Sequence, residues 1–289
     1  MFFIRFRALG LLGRCLSFLG LLGTPFVALS LHAQSMSGQS WWAPQAWMRG
    51  GAAVAWSDEL DALTANPALL FRIKGASSAG GDWLRLPKDI DRWSVGLADG
   101  RKAVVGGFRF DWVDEGRPTR HTYHLGLAYP TSYGSLGTSV HVYNFDDVAR
   151  GKGWHVSQSL GAYIPLGPNF GISVLGRHLL DRAPDHLLPP EFATGFVYRL
   201  ENSLTFQFQA DRRFGIPDQD FNYSAGLDLI MKKFFAVRGG FHWNHEKERR
   251  LWSAGAALEA PKSSLAGFYT RSLYGKDKDG FGLKLSVKF

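Results

Sequence analysis

The last ten residues limit the possible folds more than any other part of the chain. From Gly280 to Phe289, the apolar residues Phe281, Leu283, Leu285, Val287 and Phe289 alternate with Gly282, Lys284, Ser286 and Lys288. A period of two describes a β-strand with two unlike faces. Such a strand needs an apolar neighbour on one side, either a second protein layer or lipid.

Similar segments recur upstream. The approximate spans are 71–79, 91–98, 102–112, 120–129, 134–143, 154–163, 169–177, 191–199, 203–211, 221–229, 234–243, 250–259, 263–271 and 280–289, fourteen in all. The connections are more telling than the strands. Short links at Ala98–Arg101, Pro130–Tyr133, Pro165–Pro168, Leu200–Asn202, Ile230–Lys233 and Ala260–Lys262 alternate with longer charged links at Val113–Thr119, Asn144–Gly153, His178–Pro190, Arg212–Asp220, Asn244–Arg249 and Ser272–Asp279. An outer-membrane barrel keeps its short turns at the periplasmic end and its longer loops outside. Aromatic residues at many strand ends, among them Trp93, Trp112, Trp154, Trp243 and Trp252, suit interfacial girdles. The pattern therefore predicts an all-β fold: a closed antiparallel transmembrane β-barrel of fourteen strands, with both chain ends on the periplasmic side.

The remainder of the chain divides accordingly. Residues 1–33 read as a signal peptide, with Arg5, Arg7 and Arg14 ahead of the apolar stretch Leu16–Leu31 and Ala33 as a cleavage position. The only cysteine, Cys15, lies in that segment, so disulfides and cysteine metal sites are not expected in the mature protein. Residues 34–70 form an N-terminal periplasmic segment. Within it, Ser57–Leu70 predicts a short helix and its exit, with Ser57 as N-cap and Pro67 ending the helix near Ala65. Residues 71–289 form the barrel.

No phosphate loop, histidine metal pair or nucleophile elbow is present, so neither enzyme activity nor a cofactor or metal is expected. The basic group Lys247, Arg249 and Arg250 is interrupted by Glu246 and Glu248, which makes it a solvated loop tip and not a nucleic-acid site. The strand phases turn Arg109, Asp111, His124, Arg199, Gln207, Gln209, Asp211, Asn222, Asp228, Arg238, His242, Lys284 and Lys288 inward. Charges of both signs in a narrow lumen are expected to pair and close it, because an unpaired charge away from bulk water is costly. The helix around Asp58–Leu63 would then block or brace the periplasmic mouth, with Asn66 capping local backbone and Pro67 fixing the turn.

Ala65–Asn66–Pro67–Ala68–Leu69, placed between a short helix and the first strand and preceded by Gly50, Gly51, Ala52, Ala53 and Ala55, resembles an element of a broad outer-membrane barrel superfamily. That superfamily includes the long-chain fatty-acid transporters (FadL-like) and the PorV-like barrels of type IX secretion and gliding systems. The resemblance implies fourteen strands and a structural role for Asn66, Pro67 and Ala68. Terminal Phe289 is similar to the signal read by the barrel-assembly machinery. The compact loops and two-signed lumen point to a scaffold or partner-binding component of an envelope machine, in contact with outer-membrane lipids and envelope proteins. Transport of small hydrophobic substrates such as fatty acids is the alternative.

Overall fold

The computed structural model describes residues 44–49, 51–57, 60–86, 90–114, 119–145, 153–180, 189–201, 203–214, 221–231, 234–244, 249–273 and 279–289. Fourteen strands follow one another in chain order: β1 Ser77–Leu86, β2 Ile90–Asp99, β3 Val105–Asp114, β4 Thr119–Thr131, β5 Gly134–Phe145, β6 Gly153–Pro165, β7 Phe170–Arg177, β8 Glu191–Leu200, β9 Leu204–Arg213, β10 Asn222–Met231, β11 Phe235–Asn244, β12 Arg249–Ala260, β13 Ser263–Ser272 and β14 Gly280–Lys288. Each pairs antiparallel with its neighbours in sequence, and β1 pairs with β14, so the sheet closes into a barrel. Closure is completed at the chain's end, where Ser77 N donates to Phe289 O (2.9 Å) and Phe289 N donates to Ser77 O (3.0 Å). No sheet edge remains between the first and last strands.

The two faces carry the inverted polarity expected of a barrel in lipid. On β9, Phe206 is 46% exposed outward, whereas the lumen-facing Gln207 and Gln209 are only 4% and 3% exposed. β14 repeats the order, with Leu283 and Leu285 outside and Lys284 buried inside. A water-soluble sandwich buries its apolar face. Here the apolar face covers the whole outer wall, far beyond the patch a soluble monomer displays. Aromatic pairs stand near the end that carries the longer links, including Trp83–Trp93 at 5.7 Å, Tyr123–Trp154 at 6.0 Å, Tyr223–Trp243 at 6.2 Å and Trp252–Tyr269 at 5.6 Å.

Two local expectations require correction. The first strand lies at Ser77–Leu86, not 71–79, because Pro67–Ile73 forms a 3₁₀ helix that carries the chain past Phe71, and Gly75 then turns it with φ +89°. The sequence of β1 contains the pair Gly80–Gly81 and no β-branched residue, so its strand propensity is weak. The alternation of link lengths also fails at the start of the barrel: β1 and β2 are joined at the loop end across residues 87–89 only, and the turn-end link 100–104 is longer than the loop-end link 115–118 that follows it.

The N-terminal segment is not confined to the mouth of the barrel. Its described residues form the helix Pro44–Met48, irregular turns and bends, the four-residue helix Ala62–Ala65 and the 3₁₀ helix, and they lie within the lumen as a plug. Ser57 does not cap the short helix, whose N-cap position is Asp61. The plug's apolar residues Leu60, Leu63, Leu69, Leu70 and Ile73 pack with Ala98, Val105, Ala128, Tyr163 and Val197 of the wall. A second cluster joins Trp47 and Met48 to Leu84, Leu251, Ala257 and Phe268. Each fully buried leucine contributes about 1.5–3 kcal/mol relative to exposure. The plug is therefore the barrel's missing core.

Candidate functional site: a plugged, ion-paired lumen

The centre of the lumen is organised around Asp61, the residue before the short plug helix. Its carboxylate accepts from Arg109 Nη1 (3.1 Å) on β3, from Lys284 Nζ (2.8 Å) on β14 and from the backbone N–H of Gln45 (3.2 Å). The same arginine donates through Nη2 to Asp82 Oδ2 (2.8 Å) and through Nε to Asp111 Oδ1 (2.7 Å). Arg92 Nη2 approaches the other oxygen of Asp82 at 3.4 Å. One guanidinium thus joins three carboxylates from the plug, β1 and its own strand. This use of the rigid fork is not open to lysine.

A chain of rings and hydroxyls continues from Asp111 along the wall. His124 Nε2 lies 3.3 Å from Asp111 Oδ2, His124 Nδ1 is 2.6 Å from His141 Nδ1, and His141 Nε2 is 3.0 Å from Ser139 Oγ and 2.9 Å from Ser159 Oγ. All five side chains are buried. Among the described residues, no group of three or more His, Cys, Asp or Glu is placed to hold a metal ion.

The opposite wall grips the earlier part of the plug. Arg49 donates through Nε to Asp228 Oδ1 (2.8 Å) and Oδ2 (3.0 Å) and through Nη2 to Oδ2. Arg238 lies 3.9 Å from Asp228 and pairs with Glu259. Gln209 Oε1 accepts from the backbone N–H groups of Ala53 (3.2 Å) and Val54 (3.1 Å). These wall contacts satisfy plug backbone that has no secondary structure of its own.

Asn66 directs the turn into the 3₁₀ helix. Its Oδ1 accepts from Ala68 N (3.1 Å), and its Nδ2 donates to Val54 O (3.0 Å). Pro67 occupies the first helical position, where its fixed φ and missing N–H carry no penalty. Ser135 on β5 donates to Ala68 O (2.6 Å). The wall beneath this turn is glycine: a Cβ at Gly161 would lie 2.0 Å from Asn66 Oδ1, and one at Gly137 would lie 2.3 Å from Ala68 N. At Gly137 plug and wall touch backbone to backbone, and at Gly161 the wall backbone meets the Asn66 side chain.

The inward residues expected from the sequence divide into groups. Arg109, Asp111 and Lys284 join the central network, Asp228 and Arg238 hold the Arg49 side, and Asp211 accepts from Gln209 Nε2 (3.1 Å) and Asn222 Nδ2 (3.1 Å) nearer the loop end. Arg199 stands apart at the turn-end mouth. It is half-buried, its guanidinium 4.6 Å over the Trp56 ring, with Arg72 at 3.2 Å over that ring and Nη2 of Arg199 donating to Pro168 O (2.9 Å). Lys288 has the lumen phase but is exposed at the rim. Arg49, Asp61, Asp82 and Arg92 were not foreseen. Asp82 was hidden by the misplaced first strand, and Arg49 and Asp61 by assigning the whole N-terminal segment to the periplasm.

Nearer the loop end, aromatic side chains line the lumen. Tyr143 stacks on Phe145 (6.0 Å) and His141 (6.2 Å), Phe145 meets His155 (5.4 Å), and Tyr143 meets His178 (6.3 Å). The wall is stepped beside them. The β6–β7 ladder runs only from Leu160↔Gly176 to Pro165↔Gly171, and β7 ends at Arg177, although β6 continues outward to Gly153. Beyond the ladder, Leu179 N donates to Gln158 O (2.9 Å), and Ser157 Oγ meets His178 Nδ1 (2.9 Å). Among the described residues, the outer part of β6 has no strand beside it on this side.

No protein-family model matches the chain, and no curated protein sequence matches it. Solved structures do. The toluene transporter TodX of P. putida superposes with a TM-score of 0.62 at 10% identity, covering 84% of this chain and 97% of TodX. A TodX mutant described as a monoaromatic hydrocarbon channel gives a TM-score of 0.59 at 10% identity, covering 84% of this chain and 97% of the mutant. At that identity the likeness is one of fold alone.

Proposed function

We propose that the protein is an outer-membrane channel for small hydrophobic molecules, with its turn end in the periplasm and its loop end outside. The observation that carries this reading is the stepped wall at β6–β7, which lies beside the Tyr143–Phe145 aromatic lining. A hydrophilic solute would have to cross a lumen filled by Leu63, Leu69 and Leu70 and bridged by Arg49–Asp228 and Asp61–Lys284. A hydrophobic one need not, because it can leave sideways into lipid. The shared fold with the toluene transporter TodX supports the same reading.

The reading is tested with purified barrel in lipid vesicles. Protein-dependent uptake of radiolabelled toluene is expected, without uptake of a sugar of similar size. Ser157, fully buried beside His178, is the place to obstruct the step, and Ser157→Trp is expected to lower hydrocarbon uptake at least about tenfold while the barrel stays folded. Equal uptake of the sugar, or no protein-dependent uptake of either, overturns the proposal.

A scaffold role draws on a different observation, the ion pairs that fix the plug to both walls. Crosslinking in membranes followed by affinity isolation tests it, and recovery of no stable partner removes it.

A further inference from the structure

The histidine pair on β4 and β5 is buried in the lumen, and the passage of a hydrophobic solute makes no use of it. His124 and His141 face each other directly across the β4–β5 ladder. Their Nδ1 atoms stand 2.6 Å apart, a separation that needs one proton between them. Two bare nitrogens would repel, and two N–H groups would collide. The remaining proton positions follow from the partners. Asp111 accepts from Arg109 Nε (2.7 Å) and lies 3.3 Å from His124 Nε2, so that nitrogen carries a proton. The neutral His124 ring then accepts at Nδ1 from His141 Nδ1–H. His141 Nε2 is left bare, and the Ser139 (3.0 Å) and Ser159 (2.9 Å) hydroxyls donate to it.

One further proton fits without moving a ring. It enters at His141 Nε2, the bridging proton passes to His124 Nδ1, and the serine hydroxyls turn to accept. His124 is then an imidazolium facing Asp111. A second proton has no such place, because it sets two N–H groups head to head. The charged and titratable surroundings also oppose it. Arg109 and Arg92 face the pair from β3 and β2, and Arg177 and His178 from the end of β7, with Asp111 as the adjoining carboxylate. Tyr143 stacks on His141 at 6.2 Å and is paired with His155 of β6. From the plug, Asp61 reaches the pair only through Arg109.

The wall leaves the rings little freedom. β4 and β5 are paired without a break from Arg120↔Phe145 to Thr131↔Gly134, so the rings separate by turning off the wall. The plug lies beside them. A Cβ at Gly126, the next inward position on β4, would lie 2.5 Å from Leu63 Cδ2, and Gly161, next to Ser159 on β6, adjoins Asn66.

We propose that His124 and His141 form an acid-sensitive latch on the plug. One shared proton holds the rings together, and full protonation drives them apart, loosens the plug turn and opens the lumen to ions. The latch is independent of which solute the barrel carries.

Conductance of the full barrel in planar bilayers tests the latch, with pH stepped from about 7.5 to about 4 across the ordinary imidazole range. Wild-type conductance is expected to rise reversibly, at least about threefold. His141→Asn keeps an amide donor toward His124 Nδ1 but takes up no proton, and is expected to lose the acid step. His242→Asn, at a buried histidine held by Ser224 (2.9 Å) on β10, is expected to keep it. Nitrogen-15 NMR of the histidine-labelled wild type supplies a measurement that needs no variant. At neutral pH a coupling between the two Nδ1 atoms is expected, and it should vanish over the range in which conductance rises. Heat-modifiable electrophoretic mobility confirms that each barrel is folded. A wild-type conductance that ignores pH, a step retained by His141→Asn or lost in His242→Asn, or no Nδ1–Nδ1 coupling at neutral pH overturns the proposal. Toluene uptake is a separate readout, so failure of transport leaves this result standing.

Discussion

Lys284 on the last strand places its ammonium 2.8 Å from Asp61 Oδ2 in the plug, 223 residues earlier in the chain. The pair ties the strand that closes the barrel to the segment that fills it. Both side chains are almost completely buried, so the pair is worth less for its attraction than for the cost of leaving either member alone.

Lys284→Met is therefore expected to destabilise the barrel by about 2–3 kcal/mol, below the usual cost of breaking a buried pair because Arg109 still faces Asp61. The double variant Asp61→Asn/Lys284→Met is expected to cost less than the sum of the single changes. Urea unfolding in detergent micelles measures both, and strict additivity would show that the two groups do not interact.

Arg49 and Asp228 form the second clamp, and Arg49→Ala leaves a buried carboxylate that keeps Arg238 on the neighbouring strand at 3.9 Å. Loosening of the plug is expected, seen as a rise in ionic conductance in planar bilayers. Arg49→Lys should restore little of the wild-type behaviour, because one ammonium cannot reproduce the fork on Asp228. A sealed R49A barrel would mean that apolar packing alone keeps the lumen shut.

At Gly137, where an added Cβ would meet the backbone of Pro67 and Ala68, Gly137→Val is expected to displace the plug turn. The cost is set by overpacking, about 1–3 kcal/mol. Gly153, with nothing within 4 Å of an added Cβ, serves as a steric control, although its φ of +142° makes that substitution carry backbone strain of its own. Limited proteolysis of the plug separates the two: accelerated cleavage is expected for the Gly137 variant alone.

Sidedness follows from the proposed orientation. A protease site inserted at residues 245–248 is expected to be cut on intact cells, and one in the exposed turn at Tyr133 is expected to be protected until the outer membrane is opened. The reverse pattern would invert the barrel and place Lys262 and Lys288 outside.

The alternation of Phe281, Leu283, Leu285 and Val287 with Lys284 and Ser286, repeated upstream and punctuated by links of unequal length, was enough to specify the strands and the closed barrel. Side-chain period and link length are local properties, so they can be read along the chain. The first strand escaped because Gly80–Gly81 removed its pattern, and because Phe71–Arg72–Ile73 alternates like a strand while folding as part of a 3₁₀ helix capped by Asn66. The phases also turned Arg109, Asp111, Asp228 and Lys284 inward, but they could not supply the residues that meet them. Those partners, Asp61 and Arg49, come from a segment with no period of its own, and its place is decided by shape: glycines at 137, 161 and 226 on three strands leave room for the plug to press against the wall. The sequence by itself determined a barrel with an apolar outside and a charged inside. Only the tertiary structure decided that the inside is filled, because the volume between walls depends on how fourteen strands close together and on no single one of them.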